Sequence, residues 1–294
     1  MKLIIMRHGE RMDFVFGLNW AKQFFDQSGE YNRIDLNAPE TLPKRQSNFE
    51  NDSPLTSIGL YQALLTGEYL RQNGTIITHV FSSPAFRCIQ TCSQILKAIT
   101  ADEKVPNISI QIEPGLHEFY ADIFDKYNRK PPIWDSPTVL LNMGFPINAN
   151  YESQYSAQSV VDSCATESID QFYERSSVVI NSIIQRCCVN TKDLSNTAQR
   201  QQCSRSSVVL ICTHTANFDS LTRRLLGKRP IMLDEFRSKM ITLTVPCCAT
   251  LSLTGNKASQ KDPDYCWKVD NKCAIPSITH FSNEKCELIN AFQN

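Results

Sequence analysis

Four short apolar runs constrain this chain more than any other feature. They are KLIIM at 2–6, TIITHVFSS at 75–83, NISIQIEP at 107–114 and SVVLICT at 207–213. A short, continuous apolar run fits a strand buried on both faces, as strands are in a parallel sheet covered by helices. Helical patterns separate the runs. PLTSIGLYQALLTGEYLRQNG has Thr56 or Ser57 to cap it, apolar residues at Ile58, Tyr61, Leu64, Leu65 and Tyr69, and Asn73-Gly74 to close it. PAFRCIQTCSQILKAI has Ser83 as its expected N-cap, Pro84 at the first helical position, and a stripe through Cys88, Ile89, Cys92, Ile95, Leu96 and Ile99. SIDQFYERSSVVINSIIQRCC is a long amphipathic helix with Ile169, Phe172, Tyr173, Val179, Ile180, Ile183 and Ile184 on one face, and NFDSLTRRLLG is a helix closed by Gly227. CCATLSLTG and YCWKV read as two late strands. Alternating strands and helices predict an α/β fold, a three-layer αβα sandwich with a mainly parallel central sheet. No repeat or linker divides the chain, so residues 1–294 read as one domain. Two segments lie outside the alternation: an aromatic-rich insertion at about 14–53, expected to be an ordered excursion over a site, and a polar loop at about 189–206.

Thirty basic side chains balance thirty acidic ones, so nothing global points to nucleic acid or an anionic membrane as a partner. No run reaches the length of a membrane span, and Arg7-His8 ends the first apolar run too early for a signal peptide. The 12 cysteines therefore read as free thiols of a cytoplasmic protein, and Cys88, Cys92, Cys212 and Cys247 fall at apolar positions. A disulfide cluster among Cys164, Cys187, Cys188, Cys203, Cys266, Cys273 and Cys286 stays open as the alternative. No Cys/His group has zinc-ligand spacing.

Positive charge is local instead. Ligands of open α/β sheets bind beyond the carboxyl ends of the strands. Arg7, His8 and Arg11 follow the first strand, Arg87 opens the helix after the second, and His214 follows the fourth. Arginines and histidines converging on a helix N-terminus suggest a phosphate. The chain lacks the G-x-x-x-x-G-K-[ST] loop that cradles nucleotides.

In this order RHGER, PLTSIGLYQA, SSPAFRCIQT, EPGLHEF and THTANF resemble the histidine phosphatase superfamily, whose fold is phosphoglycerate mutase-like. RHGERMDFVFGLNW, YNRIDLNAPETLP, FENDSPLTSIG and ITHVFSSPAFRCIQT are similar to the branch holding the suppressor of T-cell receptor signalling (Sts/TULA) phosphatase domains and insect ecdysteroid-phosphate phosphatase. Sts proteins carry ubiquitin-binding and SH3 modules ahead of this domain; with the motif at residue 7, none is expected here. The resemblance implies a phosphomonoesterase with a phosphohistidine intermediate, His8 as nucleophile, and Arg7, Arg11, Arg87 and His214 on the phosphate. It implies Glu118 as the acid that protonates the leaving oxygen, with Glu113 its rival, and no metal or cofactor. Glu10, His79, His117 and His280 are expected to be structural. Relatives often have a small residue where Thr215 stands, and its branched side chain is placed to crowd the pocket. The substrate class implied is phosphotyrosyl protein. A steroid phosphate or other hydrophobic monoester is the second choice, and a catalytically decayed binding module is a further alternative. Phe14, Phe16, Trp20, Phe24 and Phe25 read either as an apolar wall of the pocket or as core. A homodimer is implied by resemblance alone.

Overall fold

The computed structural model describes residues 1–43, 49, 51–101, 108–121, 130–188, 207–242, 245–257 and 265–270. Among the described residues its sheet has six strands: β1 (Lys2–Arg7), β2 (His79–Ser82), β3 (Ile110–Ile112), β4 (Val208–Thr213), β5 (Thr250–Lys257) and β6 (Tyr265–Val269). Their spatial order is β3-β2-β4-β1-β5-β6, with the first four mutually parallel, β5 antiparallel to β1 and β6 antiparallel to β5. The four apolar runs are the four parallel strands. The two late runs form the antiparallel edge.

Side chains alternate across this sheet and sort the core in two. Ile4, Met6, Val80, Ile110, Ile112, Leu210 and Cys212 belong to one cluster. Leu3, Ile5, Phe81, Val209, Ile211 and Leu253 belong to the other. The first cluster includes residues of α1 (Met12–Phe16), α2 (Trp20–Phe24), α3 (Ser57–Gln72), α4 (Phe86–Ile99) and α5 (Pro137–Asn142). After the short α6 (Ala157–Ser163), the second cluster is covered by α7 (Ile169–Cys187) and α8 (Thr215–Leu225). Phe119, Phe172, Tyr173 and Phe236 of α9 (Leu233–Thr242) form a smaller third cluster. Three layers result, as the alternation predicts. Among the described residues no helix is long and apolar enough to cross a membrane.

The expected stripe of α4 is buried throughout, and each Ile or Leu in it contributes roughly 1.5–3 kcal/mol relative to exposure. Its start differs from expectation. The helix begins at Phe86, not Pro84, and Ser83 does not cap it. Asp52, at the end of the insertion, caps it from afar: its two carboxylate oxygens accept from the Phe86 amide at 2.9 and 3.1 Å. The face of α3 is also not the predicted one. Thr56 caps the helix through the Gly59 amide, but the buried residues are Gly59, Gln62, Ala63, Thr66, Gly67 and Leu70, while Tyr61 is 50% exposed. The reason is closeness. A Cβ on Gly67 would lie 2.7 Å from the Ala98 Cβ and 2.8 Å from the Ile95 carbonyl oxygen of α4. Small volume, rather than apolarity, decides which side of α3 faces α4.

The polar loop at 189–206, His280, Cys203, Cys273 and Cys286 lie outside the described residues. Cys88, Cys92 and Cys212 are buried free thiols, Cys247 is buried, and Cys164, Cys187, Cys188 and Cys266 are free as well.

Candidate active site

β1, β2 and β4 run parallel with Arg7 level with Thr213 and Ser82 level with Cys212, so their carboxyl ends meet at one edge. His8, Ser83 and His214 are the next residues. The His8 amide donates to the Thr213 carbonyl at 3.1 Å, and the Cys248 amide donates to the His8 carbonyl at 3.2 Å. The turn after β1 packs so tightly on the start of α3 that a Cβ on Gly9 would lie 2.6 Å from the Gly59 carbonyl oxygen. Buried polar side chains of the helices satisfy its amides: Gly9 donates to Thr91 Oγ1 at 3.0 Å and Glu10 to Gln62 Oε1 at 3.0 Å. Glu10 is fully buried and accepts from Asn37 and Thr56.

The structure brings Arg7, His8, Arg11, Arg87, Glu118 and His214 together. All but Glu118, whose side chain is 18% exposed, are buried. The His8 ring places Nδ1 2.8 Å from the Gly9 carbonyl oxygen. A carbonyl only accepts, so Nδ1 carries the proton and Nε2 keeps its lone pair. Burial, and then the charge of Arg87 and Arg7, hold the imidazole well below its ordinary value of 6.5. His8 is therefore neutral at physiological pH.

His214 sits edge-on to His8, with ring centroids 5.5 Å apart. Its Nδ1 is 3.1 Å from Arg87 Nη2, and its Nε2 is 2.8 Å from Ser83 Oγ. A guanidinium only donates, so here Nδ1 accepts and Nε2 carries the proton. Burial and Arg87 keep this ring neutral too. Arg87 is the hub of the site. Besides His214, it meets Glu118 Oε1 at 2.5 Å and Asp52 Oδ1 at 3.5 Å. Arg11 is forked onto Asp13, with Nε to Oδ1 at 2.7 Å, and lies 4.2 Å from the Phe14 ring centroid. Arg7 donates to the Val245 carbonyl.

Glu118 and Glu113 separate cleanly. Glu113 is fully buried and accepts from the Gly115, Gln154 and Tyr155 amides and the Tyr151 hydroxyl. Of the insertion aromatics, Trp20, Phe24 and Phe25 are core residues, and Phe16 packs against them. Among the described residues of the insertion, Phe14 is the aromatic ring that lies against the site, near Arg7 and Arg11. The expected aromatic wall thus shrinks to one ring. The sequence reading missed Asp52, Asp13 and Ser83 as partners of the site residues, and also the His117 ring, which packs edge-on against His214 at 5.6 Å. Asp13 lay two residues from Arg11 and was the one partner with a local signal. Among the described residues no group of three His, Cys, Asp or Glu is placed to hold a metal ion.

The sequence model of the histidine phosphatase superfamily (branch 1) matches residues 40–250, more than half of the chain. This chain belongs to the histidine phosphatase superfamily. Ecdysteroid-phosphate phosphatase of Drosophila melanogaster is 34% identical over 289 residues, which are 97% of this chain and 34% of that protein. Human ubiquitin-associated and SH3 domain-containing protein B is 35% identical, over 80% of this chain and 33% of its own length. This histidine phosphatase chain thus spans about a third of the length of these curated relatives. The crystal structure of the ecdysone phosphate phosphatase of Bombyx mori, solved with tungstate, superposes with a TM-score of 0.72 at 26% identity, covering 94% of both chains. The αβα sandwich expected from the phosphoglycerate mutase-like resemblance is therefore that of a solved member of the branch.

Proposed function

We propose that this chain is a phosphomonoesterase that works through a phosphohistidine on His8. The observation that carries the reading is the His8 ring, with Nδ1–H committed to Gly9 and a neutral Nε2 that no described residue hydrogen-bonds, set among three arginines. Nε2 attacks phosphorus, the bond to the leaving oxygen breaks, and Glu118 supplies the proton that oxygen needs. The Gly9 carbonyl then stabilises the positive charge that the phosphorylated ring acquires. Water attacks phosphorus in the second step, Glu118 takes its proton, and neutral His8 leaves.

Arg7, Arg11 and Arg87 offset the charge on the non-bridging oxygens, the main electrostatic task in phosphoryl transfer. A phosphate that draws Arg87 away from Glu118 puts that carboxyl beside a dianion, which favours its protonated, donating form. The same dianion favours a proton on His214 Nδ1, converting it from an acceptor into a donor.

For the substrate, an aryl or other hydrophobic monoester is proposed. Phosphotyrosyl proteins come first, by resemblance to the Sts branch. The second reading, a steroid phosphate, is favoured by the ecdysteroid-phosphate phosphatases among the relatives. The test is side-by-side kinetics on 4-nitrophenyl phosphate, a phosphotyrosyl peptide, a steroid phosphate and 3-phosphoglycerate, with acid-labile phosphate trapped on His8 in quenched enzyme. His8→Ala is expected to abolish turnover and labelling. A variant keeping a tenth of wild-type turnover sinks the nucleophile assignment, and a wild-type chain inactive on all four would favour a binding module.

A further inference from the structure

Resting on that phosphatase reading, we infer that the buried Arg175–Glu167 pair is a positioning clamp for Glu118, the residue that carries the leaving-group proton. Arg175 lies on α7 and is 95% buried. Its Nε and Nη2 are forked onto Glu167 at 2.7 and 2.6 Å. Its remaining nitrogen, Nη1, donates to two backbone carbonyls, Gly115 at 2.7 Å and His117 at 2.9 Å.

Those two carbonyls bracket the turn that delivers Glu118. The His117 carbonyl belongs to the peptide plane whose nitrogen is that of Glu118. Holding the oxygen therefore fixes the direction in which the Glu118 Cα and side chain leave the turn. A second tie comes from β4, where the Thr213 hydroxyl donates to the Leu116 carbonyl at 2.8 Å. Between these anchors the Glu118 carboxyl reaches Arg87, and it stands 3.9 Å from His214 Nδ1.

A fork is required for this. Glu167 holds the guanidinium plane in place by two bonds, and only a planar, five-donor head can then offer a further nitrogen to two carbonyls. Lysine, with one nitrogen, cannot meet the carboxylate in fork geometry and both carbonyls at once. Nothing in this arrangement touches the phosphoryl group. Its effect is on where the proton donor stands, and a donor displaced by an ångström loses much of its effect.

The experiment is a leaving-group series: kcat/KM for 4-nitrophenyl phosphate, phenyl phosphate and n-butyl phosphate, on wild type, Arg175→Lys, Arg175→Met and the double variant Arg175→Met/Glu167→Met. Removing one member of a buried ion pair is strongly destabilising, whereas replacing both by apolar residues is often tolerated. The double variant therefore keeps the test open if the single one does not fold. The expected result is a loss on n-butyl phosphate greater than that on 4-nitrophenyl phosphate by about tenfold or more, because only the alkoxide depends heavily on the proton donor. In a Glu118→Gln background the same substitutions should add no further discrimination. Equal losses on all three substrates, or undiminished alkyl turnover in a folded double variant, overturns the inference. So does a double variant that also fails to fold, which would make the pair a structural strut. A wild-type chain inactive on every monoester would instead remove the phosphatase reading itself, and the clamp with it.

Discussion

Glu113 and Glu118 stand five residues apart in EPGLHEF, and they show how far a single residue's role can be read from sequence. Motif position alone pointed to Glu118, which the fold places on Arg87 and beside His214. Glu113 differs because of neighbours the sequence cannot show as such: Tyr151, Gln154 and Tyr155 come 38 to 42 residues later. Glu118→Gln is accordingly expected to slow alkyl phosphates far more than activated aryl phosphates, whose leaving groups depart with little help. Glu113→Gln is expected to leave that ratio alone. It instead replaces one of the two accepting oxygens with an NH2 group that donates, facing groups that also donate, and leaving one donor unsatisfied costs about 1–3 kcal/mol. Thermal unfolding together with the aryl-to-alkyl rate ratio separates the two. A Glu113→Gln enzyme of native stability with a collapsed alkyl rate would reverse the assignment.

Elements were legible where their signal is local. The strands are apolar runs, and the stripes of α4 and α7 are periodic, so both could be read from the chain. The start of α4 could not, since its capping carboxylate lies 34 residues upstream, at the end of an insertion with no periodicity. The buried face of α3 escaped for a related reason: it is selected by the smallness needed to approach α4. Asp52 does more than end-cap a helix, because the same carboxylate stands 3.5 Å from Arg87. Asp52→Ala should cost the cap, about 0.5–2 kcal/mol, and loosen the arginine. Asp52→Asn keeps an acceptor for the Phe86 amide but drops the charge. The asparagine variant should therefore melt closer to wild type than the alanine variant, while both raise KM or lower kcat for 4-nitrophenyl phosphate. Equal melting temperatures for the two variants would show that charge, rather than the helix-capping hydrogen bond, is what Asp52 contributes to stability.

Across the whole molecule, the αβα layering followed from alternating patterns, but the electrostatic state of the site followed only from assembly. His8 and His214 follow β1 and β4, and His117 ends the turn after β3; the sequence shows three separated histidines. Folding buries all three near one another and near the arginines, and burial is the first cause of the depressed proton affinity of each. His117, packed edge-on between Trp134 at 4.8 Å and His214 at 5.6 Å, has no hydrogen-bond partner for either ring nitrogen among the described residues. The consequence for stability has a definite sign. Below pH 6.5 the unfolded chain takes up protons that the folded chain refuses, so it binds more protons and unfolding becomes easier as pH falls. Above 6.5 the contribution is fully present. Each histidine adds a slope of at most about 1.4 kcal/mol per pH unit, so three together approach about 4 kcal/mol per unit well below that value. The melting temperature should therefore hold from pH 8 to 7 and fall steeply from 6.5 toward 5, before most carboxylates titrate. His117→Phe keeps an aromatic ring against Trp134 and removes one of these protons, so its stability should fall less steeply over the same interval. A wild-type protein equally stable at pH 7 and pH 5 would mean that these rings accept protons while folded. The neutral state assigned to His8, on which its proposed role as nucleophile depends, would then be wrong.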